Sequence, residues 1–205
     1  QDRTWIRISE TELFHHADSD DTDWYRHSVP LSAKSWEILD APAGDIFTKA
    51  ELVGAFALTE IDFDEALSES PERRRLLSSS REQYWKDDLS APIALTAPLA
   101  DRVESLALPH QSYAMALTPG MVVVSGPLDD QVDDTTITTE GGYIELDGDD
   151  RYWAQSGTRE YDNQAFYLLN KVVDPFGNET DVAYDTYDLF VTSVTDALDN
   201  EVSAQ

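Results

Sequence analysis

The sequence predicts a mainly β protein, built from antiparallel hairpins with one or two short helices. Three observations predict it. Runs rich in β-branched and aromatic residues alternate with polar residues and stop at Gly, Pro, Asp or Asn clusters, which is the period-two signature of strands. A helix start of the capping-box type occurs at Thr48-Lys49-Ala50-Glu51. Near the C-terminal end a unit of about two dozen residues recurs, a sign of stacked supersecondary units that cannot bury their apolar faces singly.

Trp5-Ile6-Arg7-Ile8 opens a strand that continues to Phe14, and Asp18-Ser19-Asp20-Asp21-Thr22-Asp23 reads as a charged loop. Thr48 and Glu51 fit a capping box, followed by an expected helical stripe of Leu52, Val53 and Phe56. Leu76 to Trp85 fits strand or helix, and the alternation of Ser79, Arg81 and Gln83 favours strand. Ala91 to Pro98 is a Pro-bounded loop. Ser112 to Leu117 reads as a helical turn stopped by Pro119-Gly120, and Met121 to Val124 as a short buried strand. Asp129 to Asp134 is a second acidic loop. Ile137-Thr138-Thr139, Tyr143-Ile144-Glu145-Leu146 and Arg151-Tyr152-Trp153 read as strands, with Gly148 in the turn between the last two.

The repeat itself is explicit. Tyr161-Asp162 precedes Asp174-Pro175-Phe176-Gly177-Asn178 across eleven intervening residues, and Tyr184-Asp185 precedes Asp196-Ala197-Leu198-Asp199-Asn200 across ten. Val172 then matches Val194, and Leu168 matches Phe190. Asp174, Pro175 and Gly177 suit positions i, i+1 and i+3 of a type I turn: Asp accepts local N–H bonds, Pro presets φ, and Gly tolerates the left-handed exit. Asp199 takes the Gly place in the second copy, and Asp is among the few residues that reach that region cheaply. Thr180, Val182 and Tyr184 share one strand face, opposed by Glu179, Asp181 and Ala183. Asp185-Thr186-Tyr187-Asp188 reads as a loop and Leu189 to Thr195 as the next strand. The candidate functional residues are therefore the turn formers Asp174, Pro175, Gly177, Asn178, Asp196 and Asn200, and the packing residues Tyr161, Tyr184, Val172 and Val194. An ordinary hairpin with a chance echo is the plainer reading; the return of both the Tyr-Asp pair and the Asp-x-x-x-Asn turn favours a repeat.

Fourteen basic against 41 acidic residues give a formal charge of −27, which opposes binding to nucleic acid or anionic lipid. Asp dominates the acids, Arg the bases, and Lys occurs only at 34, 49, 86 and 171; the bias fits a halophilic protein whose self-repulsion is screened by salt. The absence of Cys excludes disulfides, zinc–thiolate sites and thiol chemistry. No run of eighteen apolar residues is present to cross a membrane as a helix.

Each candidate site has a plainer competitor. Asp147, Asp149 and Asp150 around Gly148 suggest calcium, but the spacing lacks the alternating oxygens and closing Glu of a calcium loop. Asp18, Asp20, Asp21 and Asp23 lack a shaping Gly. His15, His16 and His27 lie close in sequence, yet neighbours on a strand point to opposite faces, against one zinc ion taking both. Ser156-Gly157 lacks the Gly-x-Ser-x-Gly setting of a hydrolase, and no phosphate loop or dinucleotide fingerprint occurs. Trp24, Trp36, Trp85 and Trp153 read as a sugar-stacking platform or, more simply, as cross-strand packing. No cofactor or metal is expected.

The repeat text resembles the RHS family, whose members carry the Tyr-Asp (YD) repeat. Tyr84-Trp85-Lys86-Asp87-Asp88-Leu89, Leu106-Ala107-Leu108-Pro109, Ser112-Tyr113, Leu117-Thr118-Pro119-Gly120, Glu140-Gly141-Gly142-Tyr143 and Trp153-Ala154-Gln155-Ser156-Gly157 are similar to the segment that precedes the repeats in the B component of bacterial toxin-complex (Tc) insecticidal toxins. The likeness is good over about residues 75 to 205 and looser before. It implies residues 1–140 as a B-component-like middle region and 141–205 as the start of an RHS/YD-repeat β-sheet array. It further implies a secreted, non-catalytic fragment of a hollow shell, with three kinds of partner: further repeats of the parent chain, a C component whose toxic C-terminal polypeptide is enclosed, and an A-component pore. The self-cleaving aspartate site of that family has no matching text in this sequence. The array stops without an atypical capping unit, so the sequence is expected to be part of a longer protein. A surface adhesin or carbohydrate-binding module on the same repeats is the alternative, and an uncharacterised hydrolase a third.

Overall fold

The computed structural model describes residues 5–16, 24–39, 48–65, 73–122, 133–146 and 148–204. The Asp18–Asp23 loop, Asp129 to Gln131 and Val132, Val123-Val124 and Asp147 lie outside them. The chain is mainly antiparallel β with a few short helices.

A seven-stranded sheet holds β1 (Trp5–His16), β2 (Arg26–Leu39), β3 (Thr59–Ile61), β4 (Arg73–Tyr84), β5 (Pro109–Leu117), β6 (Ile144–Leu146) and β7 (Asp149–Gln155). Its order is β1-β2-β4-β5-β7-β6, with β3 pairing parallel to β4. Gly148, at φ +76°, turns β6 back onto β7. A five-stranded sheet follows, from β8 (Thr158–Asp162), β9 (Leu168–Val173), β10 (Glu179–Tyr184), β11 (Val191–Thr195) and β12 (Glu201–Ser203), in plain meander order. All four of its pairings are antiparallel, as short hairpin connections require.

The chain gathers into two compact units, one of Gln1–Glu12, Ser32–Ser80 and Ala114–Ala154, the other of Leu13–Leu31, Arg81–Tyr113 and Gln155–Gln205. Each has its own apolar core. Ile8, Trp36, Ile38, Ala55 and Leu76 form the first; Phe14, Leu31, Tyr84, Ile93 and Val103 form the second.

Helix α1 (Lys49–Phe56) starts as its sequence demands: the Thr48 hydroxyl accepts the Glu51 N–H, and the Glu51 carboxylate accepts the Thr48 N–H at 2.8 Å. Its stripe differs from expectation. Leu52 and Val53 are exposed, whereas Ala55 is buried and Phe56 packs beside it. The helix has only two turns, so a single residue and its neighbour fill the contact with Trp36, which meets the Phe56 ring edge-on at 6.1 Å.

Three further expectations are corrected. Ser112 to Leu117 is strand β5, not a helical turn. Met121 closes a single helical turn α2 (Pro119–Val122) rather than opening a strand. Pro119 begins it, where a missing N–H is harmless. The Thr118 hydroxyl bonds the Asp64 carboxylate, and a methyl added at Gly120 would overlap that carboxylate. Ile137-Thr138-Thr139 lies in a wide helical turn, Thr136–Glu140, not a strand. Asp133 Oδ1 accepts the Thr136 N–H at 2.7 Å and Gly141 N–H bonds the Thr136 carbonyl at 2.9 Å, so a local side-chain bond overrides the β-branched preference.

Candidate functional site: the hairpin strip and its anchor

The strip is shaped by three acidic clamps. Asp174 Oδ1 accepts the Phe176 and Asn178 N–H groups at 2.8 Å each, while Asn178 Nδ2 donates to Asp174 Oδ2 at 2.8 Å. The backbone closes the same loop: Asp174 N–H bonds the Asn178 carbonyl at 2.9 Å and Gly177 N–H bonds the Asp174 carbonyl at 3.0 Å. One repeat on, Asp196 Oδ1 accepts from Leu198 and Asn200 at 2.9 and 3.0 Å, and Asn200 Nδ2 donates to Asp196 Oδ2 at 2.9 Å. The two turns match bond for bond. Gly177 sits at φ +84° and Asp199 at φ +60°, so both copies make the left-handed exit.

Between them, Asp185 Oδ1 accepts from Leu189 and Phe190 at 2.8 and 3.1 Å, with Asp188 at φ +56°. Bonds from Asn178 hold the Asp174 carboxyl below its ordinary pKa, those from Leu189 and then Phe190 do so for Asp185, and those from Asn200 for Asp196. Pro175 follows the first clamp without donating to it. The clamps thus use carboxylates as acceptors for N–H groups that a tight turn leaves unpaired.

Of the expected packing residues, Val194 faces Val182 across β10 and β11, and Val172 faces Thr180 and Arg159 on its two sides. The Tyr161 hydroxyl donates to the Pro109 carbonyl at 2.7 Å, and the Tyr184 hydroxyl to the Leu169 carbonyl at 2.9 Å. The two repeat tyrosines therefore have unlike partners. Thr180, Val182 and Tyr184 form the half-buried face of β10 and Glu179, Asp181 and Ala183 the exposed one. Lys171 crosses to Glu179 at 2.6 Å on the exposed side.

The anchor of the strip was not legible as a site in the sequence. Gln83 Oε1 accepts the Tyr113 hydroxyl at 2.9 Å and faces His110 Nδ1 at 3.1 Å. Gln111 Nε2 reaches Gln155 at 3.2 Å and the Ser156 carbonyl at 2.7 Å. Ser112 and Ser156 exchange bonds, and the Trp85 indole donates to the Arg159 carbonyl at 2.7 Å. Burial, with Arg159 nearby, pushes the His110 imidazole down, and burial pushes the Tyr113 phenol up. Asp87 ties a second pair of segments: its carboxylate accepts from Ser105 and Leu106 backbone N–H groups at 3.1 and 2.9 Å. Sequence segments far apart, Tyr84–Leu89, Leu106–Pro109, Ser112-Tyr113 and Gln155–Gly157, thus converge. Gly157 belongs to the same close approach, since an added Cβ would lie 2.9 Å from the Val173 carbonyl oxygen.

In the other compact unit, Arg151 meets Asp62, Glu60 and Asp149, and Glu60 also accepts the Trp36 indole N–H at 2.9 Å. Burial raises the Glu60 carboxyl, but the Trp36 bond, Lys34 and Arg151 outweigh it and hold it below the usual range. Asp149, one of the calcium candidates, is engaged by Arg151, and among the described residues no group of three or more metal-type ligands converges. The tryptophans do not make a sugar platform. Trp36 and Trp153 are buried, the Arg74 guanidinium covers Trp36 at 4.1 Å, and Trp24 stacks on His16.

No protein-family profile matches the sequence, and no curated protein matches it. Solved structures do. A Photorhabdus luminescens Tc holotoxin pore carrying a TccC3 mutation matches with a TM-score of 0.64 at 16% identity, over 99% of this chain and 9% of that one. A crystal structure of TcdB2-TccC3-Cdc42 and one of TcdB2-TccC3 without its hypervariable C-terminal region each match with a TM-score of 0.56 at 16% identity, over 99% of this chain and 10% of theirs. The fold is of the Tc type. This chain spans about a tenth of the length of those neighbours.

Proposed function

We propose that this chain is a non-catalytic wall segment of an RHS-type shell in a secreted, Tc-like toxin. In that shell it helps to enclose the toxic C-terminal polypeptide of a C component, before delivery through an A-component pore. One observation carries the reading. The clamped hairpins form an antiparallel meander, β8 to β12, along which Phe176, Leu189, Phe190, Leu198 and Val202 stand exposed. Such a strip suits continuation by further hairpins of the parent chain, laid edge to edge, which also removes an edge prone to aggregation. The likeness to Tc structures over nearly the whole chain supports the same reading. Asp174, Asp185 and Asp196 serve as turn acceptors, which supports a structural use.

The test is protease protection. Co-expressed with its C component, the parent chain should shield the C-terminal polypeptide from an added protease until the shell is denatured. A polypeptide cleaved as fast in the complex as alone sinks the reading. So does specific glycan binding that depends on the exposed aromatic residues, which would place the chain among adhesins.

A further inference from the structure

A histidine arrangement that sequence adjacency conceals lies between β1 and β2. His15 and His16 are neighbours in the chain, but His16 stacks on the Trp24 ring at 3.8 Å. His15 instead meets His27 across the two strands, Nδ1 to Nδ1 at 2.8 Å, with ring centroids 4.4 Å apart and planes tilted by 46°. The Ser28 N–H donates to His15 Nδ1 at 3.1 Å, with Ser28 at φ +58°. An atom that accepts this bond carries no proton, which assigns His15 the tautomer with hydrogen on Nε2. The single proton between the rings then sits on His27 Nδ1.

From this geometry we propose that His15 and His27 form a two-imidazole site for one divalent nickel or copper ion. Two ring nitrogens facing each other at 2.8 Å can turn onto one transition metal, and the ion then takes the place of both the shared proton and the Ser28 N–H bond to His15. Metal–imidazole bonds are about 2.0–2.1 Å long, so nitrogens 2.8 Å apart subtend roughly 85–90° at the ion. Tetrahedral zinc needs a separation of about 3.3 Å with the same bonds. A right angle suits the square-planar or octahedral preference of copper(II) and nickel(II). Both rings are exposed to solvent. No third protein ligand joins them among the described residues, which sets the affinity at that of a simple chelate. Hard cations such as magnesium prefer oxygen donors and do not compete. The charge of −27 favours any cation near the surface, and the pair adds two nitrogen ligands.

The experiment is a calorimetric titration of the tag-free 205-residue chain with nickel chloride, repeated with zinc and magnesium chlorides. One saturable nickel site is expected, tighter than zinc, with no magnesium binding. His15→Gln and His27→Gln should each raise the nickel Kd about tenfold or more, and His16→Gln should leave it unchanged. Should a variant fold poorly, carbethoxylation of the parent chain reads the same site: nickel should protect His15 and His27 and spare His16. No saturable nickel binding overturns the proposal, as does binding that survives both substitutions, or protection of His16 equal to that of His15.

Discussion

In the seven-stranded sheet, Leu31, Trp36, Leu76 and Trp153 are at most 1% exposed; beyond Trp153 no described residue is buried, and Phe176, Phe190, Leu198 and Val202 are 69–81% exposed. The first region is held by burial and by bonds between distant segments. The second is held by clamps whose two ends lie four or five residues apart. The difference teaches that a repeat can specify its shape through turn chemistry while leaving much of its apolar surface exposed. It also predicts that equal insults will have unequal costs in the two regions.

The largest expected effect is in the sheet core. Trp36→Ala removes the ring that packs on Phe56, carries Arg74 and donates to Glu60, and should cost about 3–5 kcal/mol in denaturant unfolding. Truncating Val194 in the strip should cost a small fraction of that; equal losses would erase the distinction. Next comes the charge cluster. Arg151→Met leaves Asp62, Glu60 and Asp149 without their shared cation and should cost about 2–4 kcal/mol, short of the fully buried case because the carboxylates keep some contact with water. Asp62→Asn in the same background should recover part of the loss.

Within the strip, Gly177→Val has open space around it but a backbone at φ +84°, so its cost of about 1–2 kcal/mol is conformational alone. Gly177→Asn should be nearly neutral, as Asp199 at the equivalent place implies. The smallest effect is with pH. Asp174, Asp185 and Asp196 have folded pKa values held below 3.8, so their clamps are complete above that value and are lost as pH falls through the lowered folded values. Amide protection across β9 to β11 should therefore fade with acid below about pH 4. Fluorescence should lag behind, since all five tryptophans precede the strip. Asp196→Ala should remove the acid dependence of its own turn, and an unchanged profile would refute the clamp.

What the sequence revealed follows the same divide. The Asp174 and Asp196 turns, the faces of β10 and the Thr48 cap were readable because each is decided by residues within a turn of one another. Ser112 to Leu117 reads as a helical turn stopped by Pro119-Gly120, whereas the exchange of bonds between Ser112 and Ser156 recruits the segment into the sheet. Ile137 to Thr139 erred the other way, through the Asp133 cap. The Gln83–Tyr113–His110 network left no mark in the sequence, since its members lie 27 and 30 positions apart and are ordinary residues singly. The same holds for His15 and His27, whose meeting depends on strand register.

The shortness of the clamps has a consequence for how such an array is made. A loop of five residues closes within a fraction of a microsecond and needs no distant partner. Each turn can thus take its shape early in synthesis, although a lone hairpin stays marginal until a neighbouring strand pairs with it. Within the strip, β8 to β12 would then pair like knitting, row upon row in the order of synthesis.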